Sequence, residues 1–193
     1  MITPSAARGV VEAVYWKPEI RWVIDRLQVL KPIRFTSQRR NEVGAKIPVG
    51  SVKSAMKSGA GNLGMYVEEE RQQRAALLLR DVAYVIEAHF EIVKGEDNVA
   101  KHLDIFNRRA RVGQCFTRPY FGTRECAADF ALIEPGAPSP AVDKTLIDGK
   151  PRDLGWMLHD IDFANDRQAR YFHATMLDGV IDVPPFDSKE VRG

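Results

Sequence analysis

Two hydrophobic rhythms follow one another between residues 82 and 110, and together they restrict the fold more than any other feature. Val82, Tyr84, Ile86, Ala88, Phe90 and Ile92 recur with a period of two, which places them on one face of a strand. Val99, Leu103, Phe106 and Ala110 then recur at helical spacing. They predict one buried stripe on a helix that opens at Asp97, a good N-cap, and stops at Gly113. A half-buried strand feeding an amphipathic helix points to a mixed architecture.

The flanking sequence extends that reading. Thr3-Pro4 is an N-cap followed by a proline at the first helical position, with Val10, Val11 and Val14 at helical spacing behind it. This helix must end near Trp16, because Lys17 precedes Pro18. Residues 20–30 alternate through Trp22 and Ile24 and read as a strand closed by Pro32; residues 33–35 either extend it or begin the next. Residues 44–64, rich in Gly, Ser and Lys, read as a long surface loop or small insertion. Residues 74–80 read as a short helix or an extended lead-in, and residues 129–134 as a strand. Residues 135–150 hold three prolines and two glycines and form a connection. A strand over 154–163 follows, then a hairpin over 171–183 around Asp178-Gly179. The expectation is an α+β chain divided into residues 1–134 and a smaller β-rich part, 135–193.

Composition sets limits on partners. With 193 residues, 45% hydrophobic and 28% charged, the chain has an ordinary globular balance. Cys115 and Cys126 suit neither a disulfide framework nor a four-ligand zinc site, so free thiols in a reducing cytoplasm are expected. No signal peptide or long apolar run is visible, and no membrane partner is expected. Net charge is only +2, so any nucleic-acid role must rest on a local patch. Arg34, Arg39, Arg40 and Lys46 form one cluster and Arg108, Arg109 and Arg111 another, while Glu68, Glu69 and Glu70 cancel charge elsewhere. A solvated face explains either cluster taken alone.

Residues 97–125, DNVAKHLDIFNRRARVGQCFTRPYFGTRE, carry the densest chemistry. Lys101 supplies a fixed positive charge, and His102 can exchange a proton near neutral pH. Both sit in early helical turns, on a flank of the predicted stripe, where the helix dipole favours a phosphate. Phe116, Tyr120 and Phe121 interleave with Arg118 and Arg124 in a pattern suited to stacking on unpaired bases. Stacking and packing fit Phe116 equally, whereas Phe121 is expected to pack. These are the ingredients for cutting RNA without a metal or cofactor; the plainer alternative is a solvated helix with one satisfied histidine.

Three other arrangements are weaker. Asp160 and Asp162 share a strand face as cation ligands could, with His159 and Asp25 conceivable additions, but nothing fixes a third ligand and no metal is expected. Cys115 and His102 resemble a nucleophile and base, but lie across a helix end with no orienting acid. His89 and His173 fall in apolar strand patterns and read as core or edge residues.

Several segments also resemble a known family. ITPSAARG at residues 2–9, EAVYWKPEIRW at 12–22, KPIRF and RRNEVGAKIP are similar to the Dvulg subtype of CRISPR-associated Cas family five. RQQRAALLLRDVAYVIEAHF, KHLDIFNRRARVGQCFTRPYFGTRE and DLGWMLHDIDF match further segments in the same order, so the resemblance spans nearly the whole chain. It implies a ferredoxin-like (RRM-type) domain of the repeat-associated mysterious protein class, with a smaller β-rich C-terminal part. Family members carry a further N-terminal segment with the first, central strand of that sheet, whereas Met1 here directly precedes the first helix. Absence of that strand would strip backbone partners from its neighbours.

The resemblance further implies an endoribonuclease of type I-C Cascade that cuts precursor CRISPR RNA in the repeat and then holds its 5′ handle. Backbone and large Cascade subunits would be its protein partners. A non-catalytic guide-RNA scaffold is the alternative. The family's catalytic residues carry over onto Tyr15, in the YWKP motif, and onto Lys101 and His102, the KH pair. A repeat stem-loop is the expected RNA, with Arg39, Arg40, Arg108, Arg109 and Arg111 on phosphates and Phe116 on a base.

Overall fold

The computed structural model describes residues 1–95 and 98–193. In chain order the elements are α1 (Pro4–Val14), β1 (Ile20–Val29), β2 (Phe35–Val43), α2 (Val49–Ser58), β3 (Arg71–Leu79), β4 (Tyr84–Ile92) and α3 (Val99–Arg111). A 3-10 turn at Lys144–Leu146 precedes β5 (Arg152–Asp162), β6 (Gln168–Met176) and β7 (Val180–Asp182). Contacts divide the chain into two compact units, Met1–Pro32 with Val82–Gly193, and Ile33–Asp81. The architecture is α+β with antiparallel pairing throughout the named strands.

In the first unit, β1 is central in a three-stranded sheet of order β4-β1-β7. Its alternation buries Ile20, Trp22, Ile24, Leu27 and Val29 on one face, and a register shift between Ile24 and Arg26 keeps that face inward. Helix α1 covers this face. Thr3 Oγ1 accepts from the Ala6 amide at 3.2 Å, and Ala7, Val10, Val11 and Val14 are buried. The helix closes where the Tyr15 backbone turns extended (φ −153°, ψ 122°), as the approaching Lys17-Pro18 requires. Strands β5 and β6 add Met157, Phe172, Ala174 and Met176 to the same core.

The Asp178-Gly179 turn forms, with both residues at positive φ (50° and 83°). A Cβ at Gly179 would stand 2.8 Å from the Val29 carbonyl oxygen, so glycine is needed for space as well as for conformation. The expected hairpin is corrected, however: beyond the Leu177–Val180 bridge, β6 pairs with β5 and β7 pairs with β1. The turn reverses the chain, and the buried faces of the flanking strands send them to different sheets.

Three further expectations change. Residues 129–134 alternate in exposure but form no strand, because alternation reports extended backbone while a strand also needs a ladder partner. In α3 the buried stripe is not Val99-Leu103-Phe106-Ala110, since Val99 and Leu103 are 55% and 46% exposed. Its inward face is His102, Ile105, Phe106, Arg109 and Ala110, so His102 lies at the centre of the face rather than on its flank. Asn98 caps this helix, accepting from the Ala100 amide at 2.9 Å; Asp97 lies outside the described residues. Gly113 takes the left-handed conformation just after it (φ 67°).

The second unit, described by itself, is a β2–β3 hairpin registered from Phe35–Leu79 to Val43–Arg71. Residues 74–80 are thus mostly strand, and residues 44–64, expected as a surface loop or small insertion, contain α2, closed by Gly59 at φ 64°. Among the described residues, no helix is long and apolar enough to cross a membrane.

Candidate active site

Helices α1 and α3 bring Tyr15 and His102 together. Tyr15 Oη lies 2.8 Å from His102 Nδ1, and each residue is only 1% exposed. Seclusion from water strengthens such a bond and raises the penalty for breaking it. Aromatic rings surround the pair. Phe90 meets the His102 ring edge-on at 5.9 Å, and Trp22 packs between Phe90 and Phe106 at 5.3 and 4.7 Å.

Tyr15 is held at several points. Its amide donates to the Val11 carbonyl at 3.0 Å, and its own carbonyl accepts from Trp22 Nε1 at 2.8 Å. The preceding carbonyl, of Val14, accepts from Arg109 Nη1 at 3.0 Å, and the Arg109 guanidinium covers the Tyr15 ring at 5.3 Å. Two residues earlier, the Ala13 carbonyl accepts from the Phe116 amide at 2.8 Å. That bond anchors the aromatic loop to the end of α1, while the Phe116 side chain is 88% exposed. Phe121 packs edge-on against Tyr84 at 5.7 Å.

The remaining charged residues separate by environment. Lys101 and Arg108 are exposed on α3. Arg111 forms a two-point contact with Glu134, at 2.5 and 2.9 Å. The bond to Arg111 holds the Glu134 carboxyl below the usual carboxylate range. Arg39 and Arg40 stand on β2 in the second unit, with Arg40 Nη2 donating to Gln38 at 3.0 Å.

Asp160 and Asp162 are both engaged within the protein. Arg8 grips Asp160 through Nε and Nη2 at 2.9 and 2.8 Å and also reaches Glu12, tying α1 to β5. Asp162 accepts from the Asn165 side chain and from the amides of Ala164 and Asn165. No cluster of three or more His, Cys, Asp and Glu suited to a metal occurs among the described residues. His89 and His173 are about half exposed, and each meets an acid: Asp25 at 2.8 Å and Asp153 at 3.3 Å.

The family model for CRISPR-associated protein (Cas_Cas5) matches residues 1–184. The chain belongs to this family. A Cas5 relative from Mannheimia succiniciproducens, named CRISPR pre-crRNA endoribonuclease Cas5d, is 52% identical over 196 residues, covering all of this chain and 87% of that protein. A relative of the same name from Thermus thermophilus is 36% identical over 202 residues, covering 94% of this chain and 79% of that protein. Two solved structures share the fold across the whole chain. One, titled as a CRISPR-associated protein, has a TM-score of 0.69 at 22% identity over 85% of its length. The other, a functionally uncharacterized protein from Streptococcus mutans, has a TM-score of 0.64 at 21% identity over 86% of its length.

Within this Cas5 chain, the residue contacts that sequence reading did not reveal are those of Trp22 and Arg109. Arg109 had a legible signal, because seven residues from His102 is two helical turns on one face. Trp22 had none, since its bond to Tyr15 depends on how β1 packs beneath α1.

Proposed function

We propose that this chain is an endoribonuclease that cuts precursor CRISPR RNA within the repeat, without a metal, and then keeps the 5′ handle as a Cascade subunit of type I-C. The observation that carries the reading is the Tyr15–His102 contact at 2.8 Å, with Lys101 adjacent on the exposed side of α3. The names of the two relatives support the substrate class. The ribose 2′-hydroxyl attacks the neighbouring phosphorus, the new 2′-oxygen–phosphorus bond forms, and the bond to the 5′-oxygen breaks. The 2′ proton leaves with a base, the departing 5′-oxygen gains one, and the products are a 2′,3′-cyclic phosphate and a 5′-hydroxyl.

His102 moves the proton in this scheme. With Nδ1 facing Tyr15, Nε2 is the ring nitrogen that exchanges a proton with RNA. With Nδ1–H donating to the Tyr15 oxygen, a bare Nε2 is a base, and once it has taken a proton the imidazolium is the acid; a Tyr15 hydroxyl donating to Nδ1 would leave a neutral ring whose Nε2–H only donates a hydrogen bond. Lys101 stabilises charge on the phosphorane. A repeat stem-loop is the proposed RNA, with Arg39, Arg40, Arg108 and Arg111 as phosphate contacts and Phe116 stacked on an unpaired base.

Burial of the pair favours a second reading, a guide-RNA-binding subunit in which Tyr15–His102 is only a core hydrogen bond. Synthetic repeat RNA incubated in excess chelator with the wild type and with His102→Ala separates the two. Cleavage to cyclic-phosphate ends, slowed by about 10²–10⁴ in the variant, supports the nuclease. Tight binding with no product supports the scaffold, and undiminished cutting by His102→Ala removes His102 from the mechanism.

A further inference from the structure

Arg108, Arg109 and Arg111 look equivalent in the sequence, but their surroundings differ. Arg108 is exposed and Arg111 is engaged by Glu134, while Arg109 points inward on the face that carries His102. One end of its guanidinium donates to the Val14 carbonyl at 3.0 Å, and its Cζ lies over the Tyr15 ring, 5.3 Å from the centroid. Its Nε is buried and has no hydrogen-bond partner. A guanidinium placed this way has given up hydration without full replacement, so its position is poorly explained by its hydrogen bonding alone.

What Arg109 does satisfy is the geometry of Tyr15. The Val14 carbonyl belongs to the last turn of α1, where carbonyls lack helical partners, and it immediately precedes the residue that reaches His102. Clamping that carbonyl fixes the point from which the Tyr15 side chain departs. Covering the ring limits its rotation and sets a positive charge against the π face.

We propose that Arg109 is a positioning residue for the Tyr15–His102 pair and not a phosphate ligand. The inference rests on the proposed reading of that pair as cleavage machinery. Reactive groups lose about 10²-fold in rate when displaced by an ångström, which is the scale of effect expected from releasing the clamp.

The experiment uses the full chain and three proteins: wild type, Arg109→Gln and Arg109→Lys. Single-turnover cleavage of repeat RNA is measured at saturating protein. Affinity and its salt dependence are measured separately on repeat RNA carrying a 2′-deoxy residue at the cleavage site, which cannot react. Arg109→Gln is expected to cut about 10²-fold more slowly, with affinity within about twofold of wild type and an unchanged salt slope. Arg109→Lys keeps the charge but lacks the planar fork, so it should recover part of the lost rate.

A salt slope lower by about one, with full cleavage at saturation, would instead make Arg109 a phosphate ligand. Full-rate cleavage by either folded variant overturns the inference. Should Arg109→Gln not fold, the Arg109→Lys rate decides: about tenfold slower with unchanged affinity sustains the inference, and the wild-type rate overturns it. His102→Ala runs in parallel. If it cuts as fast as wild type, or wild type yields no product, the reading of the pair fails and the inference with it. If His102→Ala is impaired and Arg109→Gln is not, only the role of Arg109 fails.

Discussion

Tyr15 Oη and His102 Nδ1 are 2.8 Å apart at a place where each residue is 1% exposed, so a change to one alters the environment of the other. Removing the hydroxyl in Tyr15→Phe takes that bond from a buried imidazole. A cost of about 1–3 kcal/mol in urea unfolding is expected, from a lost bond and an incompletely compensated ring nitrogen. If the hydroxyl also directs the proton, cleavage per folded molecule falls as well; stability loss with an unchanged rate would make Tyr15 purely structural.

Trp22→Phe keeps an aromatic ring beside Phe90 and Phe106 but deletes the donor to the Tyr15 carbonyl. The variant is expected to fold with a loss of about 1–3 kcal/mol. Equilibrium unfolding checks the value, and cleavage should slow because the end of α1 is held by one bond fewer.

Phe116 offers the opposite behaviour. At 88% exposure its truncation removes almost no packing, so Phe116→Ala should leave stability within about 0.5 kcal/mol. Binding to repeat RNA should weaken by about 1–3 kcal/mol at any salt concentration if the ring stacks on a base. Equal affinities for wild type and variant would return the residue to the loop.

Arg108 and Arg111 should separate in a salt titration. Arg108→Ala is expected to reduce the salt slope of RNA binding by about one without changing which RNA is preferred. Arg111→Ala should reduce it by less, because that guanidinium already faces Glu134 through two bonds. An unchanged slope for Arg108→Ala would make it a merely solvated cation.

Acid should remove the Arg111–Glu134 contribution. The folded-state carboxyl lies below its ordinary value, chiefly through the side-chain bond to Arg111. The pair therefore stabilises the fold above the unfolded carboxylate pKa and loses that effect as pH falls through the lowered folded value. Wild type should melt slightly above Glu134→Gln at neutral pH, with the gap closing below the carboxylate range. A gap that persists in acid would mean that packing, not charge, separates them.

The local devices were legible in the sequence because each depends on neighbours along the chain. Thr3-Pro4 opened α1, Lys17-Pro18 forced its end, the alternations of 20–30 and 82–93 made β1 and β4, and Asp178-Gly179 made a turn. Their α+β class followed from the same periodicities. Pairing was decided elsewhere. The extended residues 129–134 acquired no ladder, and β6 and β7 parted to different sheets, because strand partners are chosen by which faces can be buried together.

The candidate site shows the same division. Tyr15, Lys101 and His102 could be named from the motif they resemble, but the motif says nothing of burial. Helical spacing alone pointed to a stripe through Val99, Leu103, Phe106 and Ala110, and packing against Trp22 and Phe90 instead selected the face centred on His102, leaving Val99 and Leu103 outside. That choice turned Lys101 outward, His102 inward and Arg109 onto Tyr15, because side chains on one rigid helix rotate together and only a tertiary partner sets the common angle.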